Sequence, residues 1–280
     1  MAVELDVGHA VHLPAGGGDV VRDVPESRVE FLSDRDELHA TWTRFDPHRD
    51  GASAHVHRQH NDLFYVLAGE LTVLVGPDQV ETPYRAGTIV LAPPLVVHGF
   101  RNAADEELRY LNFHAPGGGF AAYMRGQSPS FDSEEPPADG GRPADEAYVG
   151  TGEVLSDRPD LRVSLLVDVD EIGVAEVATE PNGLSPPLHV HRRHTESFYV
   201  LAGELTFTVA GSEVHAAAGS WVQVPAGVPH TFAPTGSEDV RYLDVHTPSY
   251  GFGDFVRALS SARDEDELAA ARARFDQEPA

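Results

Sequence analysis

The segment FYVLAGELT occurs twice, at residues 64–72 and 198–206, in a chain of 280 residues. Nine identical residues do not recur by chance at this length, so a unit of structure has been duplicated. Two more blocks recur in the same order. Residues 85–100 (RAGTIVLAPPLVVHGF) align with 217–232 (AAGSWVQVPAGVPHTF), and 109–120 (RYLNFHAPGGGF) with 241–252 (RYLDVHTPSYGF). A whole domain was therefore copied, which predicts one domain over 1–125 and a second over 148–280. The intervening 126–147 is rich in Pro, Gly, Ser and acids. It is too poor in apolar residues to bury a core, and reads as an exposed linker.

Each copy is written in short runs of β-branched and aromatic residues bounded by Gly, Pro and Asp, such as 39–46 (HATWTRFD) and 163–169 (VSLLVDV). Many short strands with regular turns predict an all-β barrel or sandwich. Gly69 and Gly203, each before a Glu, read as tight hairpin turns. Helical signal is confined to 120–126 and to 253–275. The latter is Ala- and Arg-rich with acids at 264–267.

Composition narrows the function classes. There are 45 acidic against 20 basic residues, a formal charge of -25, and such a surface repels nucleic acid. No cysteine is present, which removes disulfides, thiolate ligands and Cys nucleophiles. No apolar run is long enough to span a membrane, and the first residues carry no basic region followed by an apolar stretch. A cytoplasmic protein is expected. There is no Gly-rich phosphate loop, nucleophile elbow or nucleotide fingerprint.

The chemistry lies in the histidines. His189 and His191 alternate on a predicted strand and so share one face. Glu196 opens the next strand, where Phe198 and Val200 share its face as an apolar wall. His230 follows the turn PAGVPH. Three imidazoles and a carboxylate can converge on a divalent transition metal, leaving positions free for water, dioxygen or substrate. Iron, manganese, nickel, cobalt, copper and zinc all accept this donor set.

The same residues resemble the cupin family. HVHRRHTESFYVLAG follows the first cupin motif: His-x-His, four residues, Glu, six residues, Gly. GSWVQVPAGVPHTFAP follows the second, with Pro234 where Asn is usual. In the first copy, His55 and His57 are followed by Asp62 where Glu is usual. His98 and Asn102 are in place, with Leu95 where Gly is expected. The resemblance implies two tandem double-stranded β-helix (jelly-roll) barrels with a short C-terminal helix. It also implies a second metal set, His55, His57, Asp62 and His98, and thus one or two metals per chain. Phe64, Val66, Phe100 and Phe232 join Phe198 and Val200 as expected pocket lining. The tails HAPGGGFAAYM and HTPSYGFGDFV are similar to those of quercetin-dioxygenase-like bacterial cupins. That implies a metal-dependent dioxygenase acting on a small aromatic or enolic compound, with Glu196 also a general base if burial raises its pKa. The alternative is a non-catalytic binder of metal or small ligands. Monomer and homodimer are both open.

Of the other histidines, His60 and His194 read as structural or pocket-mouth residues. His114 and His246 read as inter-barrel contacts or supports for the ligands. Tyr65 and Tyr199 read as packing, and His9, His12, His39, His48 and His215 as surface.

Overall fold

The computed structural model describes residues 3–5, 10–181, 183 and 185–280. The chain forms two β-barrel units, as the repeat predicts. One spans Asp19–Thr151; the other joins Gly152–Ala280 to the residues up to Gly18.

In the first unit a seven-stranded sheet runs in the order Tyr148–Gly150, Ile89–Ala92, Asn61–Ala68, Leu108–Ala115, Leu38–Phe45, Ser27–Arg35, Asp19–Val24. A three-stranded sheet places Glu70–Val75 between His98–Arg101 and Val80–Arg85. Phe45, Phe64, Val66, Leu71, Val73, Val90, Leu108 and Tyr110 pack between them as a core. The second unit repeats the plan. Thr195–Ala202 lies in one sheet between Trp221–Val224 and Val240–Thr247. Glu204–Val209 lies in the other between Ser212–Ala217 and His230–Thr235.

The duplicated segment is the junction between the sheets, not a hairpin. Asn61–Ala68 pairs with Ile89–Ala92 and Leu108–Ala115, whereas Glu70–Val75 pairs with His98–Arg101 and Val80–Arg85. Gly69, at φ 76°, is the corner where the chain changes sheets, and Gly203, at φ 71°, is its copy. A Cβ at Gly69 would collide with the Glu107 carbonyl, and one at Gly203 would lie 2.6 Å from that of Asp239. Both the backbone angle and the close approach demand glycine. Phe64, Tyr65 and Val66 are buried, as are Phe198, Tyr199 and Val200, so both faces of the strand are packed. A strand buried on both faces and ending in an obligatory glycine tolerates little change, which is why the copies stay alike.

Three features depart from the sequence reading. Ala10–Leu13 pairs with Trp221–Val224 of the second unit rather than joining the first. Tyr148–Gly150, expected to open the second domain, pairs with Ile89–Ala92 of the first. Each barrel thus extends its sheet with strands from the segment that leads into the other, Val3–Leu5 lying outside Ala10–Leu13 at the edge, and such pairing leaves no local sequence mark. Residues 126–147 are not a free linker: Val56 and Glu134 exchange backbone hydrogen bonds at 2.9 Å, and Arg142 N–H donates to the Leu95 carbonyl at 2.9 Å. Backbone groups, rather than an apolar face, hold this stretch down, and composition carries no sign of them.

The C-terminal helical signal divides into Phe252–Ser261 and Glu265–Arg274. Asp264 caps the second helix, its carboxylate accepting Glu267 N–H at 2.9 Å. Phe252, Phe255, Val256 and Ala271 pack on Val163, Leu165 and Ala175. The short helix Phe120–Met124 occupies the matching place after the first barrel. Among the described residues no helix is long and apolar enough to cross a membrane.

Candidate metal centres

Each barrel gathers its four predicted ligands. His55, His57, Asp62 and His98 offer donor atoms all within 4.8 Å of one another, and so do His189, His191, Glu196 and His230. All are buried except the half-exposed His55.

In all six histidines Nδ1 faces a backbone carbonyl. His55 donates to Ser53 at 2.8 Å, His98 to Val96 at 2.9 Å, and His57 to Asp132. His189 donates to Pro187 at 2.8 Å, His191 to Asp276 at 2.8 Å and His230 to Val228 at 3.0 Å. A carbonyl only accepts, so the ring proton sits on Nδ1 and Nε2 turns inward as a bare lone pair. Those lone pairs meet a carboxylate. Glu196 Oε2 lies 2.6 Å from His230 Nε2, 2.9 Å from His191 Nε2 and 3.6 Å from His189 Nε2. Asp62 Oδ2 lies 3.2 Å from His98 Nε2 and 3.5 Å from His57 Nε2. His57 Nε2 and His189 Nε2 are buried with no hydrogen-bond partner. Acceptors facing acceptors in a buried space are costly unless a cation sits among them. The donor set of three imidazoles and one carboxylate fits a divalent transition metal. Asp62, one methylene shorter, stands farther from its histidines than Glu196 does.

Electrostatics agree. Burial foremost, then His98 and His57, lowers the His55 pKa to about 4, so this ring is neutral and able to ligate at neutral pH. Burial pushes the Glu196 carboxyl up, but His230 and His191 outweigh it and hold it well below the usual range. The raised pKa on which its general-base role depends is therefore not found. The carboxyl held well above its range is Asp244, by burial and by Glu196.

The expected lining is core. Phe198 packs with Phe207 and Phe232 at ring separations of 4.9 and 4.8 Å, and Val200 lies in the same cluster. Phe64 and Val66 are fully buried; Phe100 packs on Phe64 at 4.8 Å and also lines an outer cleft with Asp50, Thr72 and Arg101.

Sequence reading missed the residues that lock the His-x-His strands. Phe131-Asp132-Ser133-Glu134 and Phe275-Asp276-Gln277-Glu278 are a fourth repeated block. Besides its carbonyl on His57, Asp132 offers its carboxylate to the N–H groups of Arg58 (3.0 Å) and Gln59 (2.8 Å) and to His60 Nδ1 (2.9 Å). Asp276 takes Arg193 N–H at 2.9 Å, and its Oδ2 lies 3.1 Å from His194 Nδ1. Glu278 pairs with Val190 as Glu134 does with Val56, and Arg58–Glu134 and Arg192–Glu278 ion pairs close the outside at 2.6 and 3.1 Å. The recurring Phe-Asp-x-Glu was the available signal. His60 and His194 thus hold an interior network together, and neither is at a pocket mouth.

His114 Nδ1 lies 2.9 Å from His60 Nε2, and His246 Nδ1 lies 2.8 Å from His194 Nε2. Both rings reach the ligand carboxylate of their own barrel and stack on Phe120 and Phe252 at 4.2 and 3.9 Å. His39, expected at the surface, is buried against Phe31 at 6.2 Å and accepts Ala121 N–H at 3.2 Å. His48 and His215 are exposed and His12 is half-buried, while His9 lies outside the described residues. Replacing Asp276 by Ala keeps the backbone carbonyl that holds His191 but removes the carboxylate that anchors Arg193 N–H beside His194, and should weaken metal binding by the second barrel by no more than about 10-fold, the low end for losing support behind a ligand. Metal titration of Asp276→Ala against Asp132→Ala, each affecting only its own barrel, checks this.

The cupin domain model matches residues 41–114 and 175–246, one match in each barrel and more than half of the chain together. The chain belongs to the cupin family. As a cupin with two barrels it is similar in fold to protein Ylba from E. coli, at 12% identity and TM-score 0.61, covering 85% of this chain and 90% of that one. It is likewise similar to an oxalate decarboxylase from Lactobacillus farciminis (14%, TM-score 0.58, 85% and 86% covered). Procruciferin, an 11S globulin from Brassica napus, shares 12% at TM-score 0.62, with 86% and 84% covered. These likenesses carry the fold alone. A stretch of 50 residues is 36% identical to the HTH-type transcriptional regulator PuuR of Escherichia coli (strain K12), covering 18% of this cupin. The chain spans 27% of that relative's length.

Proposed function

We propose that this bicupin is a metal-dependent dioxygenase that binds one divalent metal in each barrel, on His55, His57, Asp62 and His98 and on His189, His191, Glu196 and His230. Its substrate would be a small aromatic or enolic compound of the flavonol type, with the second barrel the working centre. The observation that carries the metal reading is the convergence of three inward Nε2 lone pairs on Glu196 Oε2 in a buried space. The tails after each barrel, which resemble those of quercetin-dioxygenase-like cupins, support the reaction class.

A bound redox-active ion would supply Lewis acidity and electron exchange. The protein would do the rest. His191 is held by Asp276, His189 by Pro187 and His230 by Val228, so the ligand rings need no reorganisation. The aromatic core of Phe198, Phe207 and Phe232 keeps water away from one side. Glu196, its carboxyl held well below the usual range by His230 and His191, would serve as the anionic ligand. The same reading makes the protein cytoplasmic, working as a monomer or homodimer.

The second reading is a non-catalytic binder, and the packing of the expected lining rings into core favours it. Oxygen uptake decides between them. Protein loaded with iron, manganese or nickel should consume oxygen only when an enolic substrate is added, and Glu196→Gln should lower the rate by about 100-fold or more. Loaded protein that consumes none across a substrate panel is a binder.

A further inference from the structure

Beside the ligands of the second barrel lies a second group of donors, Glu196, Asp244 and His246, within 4.8 Å of one another. Asp276 Oδ2 is 3.1 Å from His194 Nδ1, though without hydrogen-bond alignment. A carboxylate at that distance keeps the ring proton on Nδ1, so His194 Nε2 is an acceptor. His246 Nδ1, 2.8 Å away, must then be the donor. His246 Nε2 is left as a bare lone pair. It is 3% exposed and has no hydrogen-bond partner, and Asp244 Oδ1 has none either. These two atoms are 3.1 Å apart, and Glu196 Oε1 lies 3.7 Å from the same nitrogen. Two carboxyl groups and a buried imidazole nitrogen converge here, and the one proton between the carboxyls is Asp244's, which a cation would displace.

We propose that this is a second metal position in the second barrel, held by His246 Nε2, Asp244 and Glu196, with the Glu196 carboxylate bridging the two ions. The spacing suits it. An ion about 2.1 Å from each nitrogen or oxygen donor sets neighbouring donors roughly 3.0–3.5 Å apart. One imidazole with two carboxylates suits manganese, iron or zinc. The proposal rests on the reading of His189, His191, Glu196 and His230 as a metal centre, because it shares Glu196 with that centre.

The first barrel is an internal control. His114 Nε2 is placed equivalently, 3.7 Å from Asp62 Oδ1, but Asn112 stands where Asp244 does. Its amide N–H group donates to Asp62 Oδ1 and to the Leu63 carbonyl, and its Oδ1 accepts from His114 Nε2 at 3.0 Å, so the nitrogen that is unpartnered in the second barrel is satisfied in the first. The position that a cation would neutralise in the second barrel is served by an N–H group in the first. The first barrel accordingly holds a single ion, and the two centres are different in kind.

The test is a manganese titration of the chelator-stripped full chain, read by metal content and by electron paramagnetic resonance, for wild type, Asp244→Asn and His246→Gln. Wild type should bind one equivalent more than either variant and should show the signal of an exchange-coupled pair, which both variants lose while keeping the isolated-ion signal. Asn is what the first barrel carries at this place, so Asp244→Asn should fold. Should it not, the coupled signal of wild type still decides. Equal stoichiometry with isolated-ion spectra only would overturn the proposal and leave a proton shared by Asp244 and Glu196. No bound manganese in any form would instead overturn the metal reading on which the proposal stands.

Discussion

Replacing Glu196 with alanine will empty the second barrel of metal and leave the first loaded. Among the described residues Glu196 is the one carboxylate within 4 Å of His189, His191 and His230, and it supplies the charge that offsets a buried dication. Altering a group that merely orients a ligand costs about 10- to 100-fold in affinity; removing the ligand that carries the charge should cost more than about 100-fold. Mass spectrometry of metal content, on protein purified without chelators, checks this. A mutant that retains its full complement would show that the three imidazoles suffice and that the carboxylate serves something else. The companion change Asp62→Ala should empty only the first barrel. Its effect on affinity should be smaller, because the Asp62 oxygen stands farther from its histidines.

The second large effect is on stability. Phe198 is fully buried and touches Phe207, Phe232 and Tyr242 at ring separations of 4.9, 4.8 and 6.1 Å. Phe198→Ala should cost about 3–5 kcal/mol, through lost transfer energy and the cavity left behind. Against a total of about 5–15 kcal/mol for a domain, that lowers the denaturant midpoint of the second barrel sharply. Chemical unfolding followed by Trp221, which lies in that barrel, is the measurement. A Phe198→Ala protein with an unchanged midpoint and altered substrate binding would make this ring pocket lining after all.

The contrast between these residues shows what a sequence can and cannot convey. His189, His191, Glu196 and His230 were legible because strand alternation and a short turn fix their separation locally. Asp62 was legible as a divergence because the other copy supplies a reference. Phe198 was placed on the correct strand, but its exposure depends on what the opposite sheet contributes. Asp132 and Asp276 went unread because they act across 75 and 85 residues of chain, through backbone groups that no side-chain pattern reveals. Gly69 was recognised as a turn but not as a corner, since a hairpin and a change of sheet ask the same of one glycine. Asn112 and Asp244 stood in an aligned block from the outset. Their significance needed His114 and His246 beside them.

The crossed edge strands have a consequence for how this molecule can be divided. A cut anywhere between the barrels leaves Trp221–Val224 without Ala10–Leu13, or Ile89–Ala92 without Tyr148–Gly150, unless it falls in the short stretch after Gly150 and the leading arm is moved as well. A bare sheet edge is a template for pairing with any other strand. Halves separated at the sequence repeat would be sticky, and would satisfy themselves by trading arms. The duplication is thus visible at two levels: copied words in the text, and in each barrel a strand supplied by the segment that precedes the other.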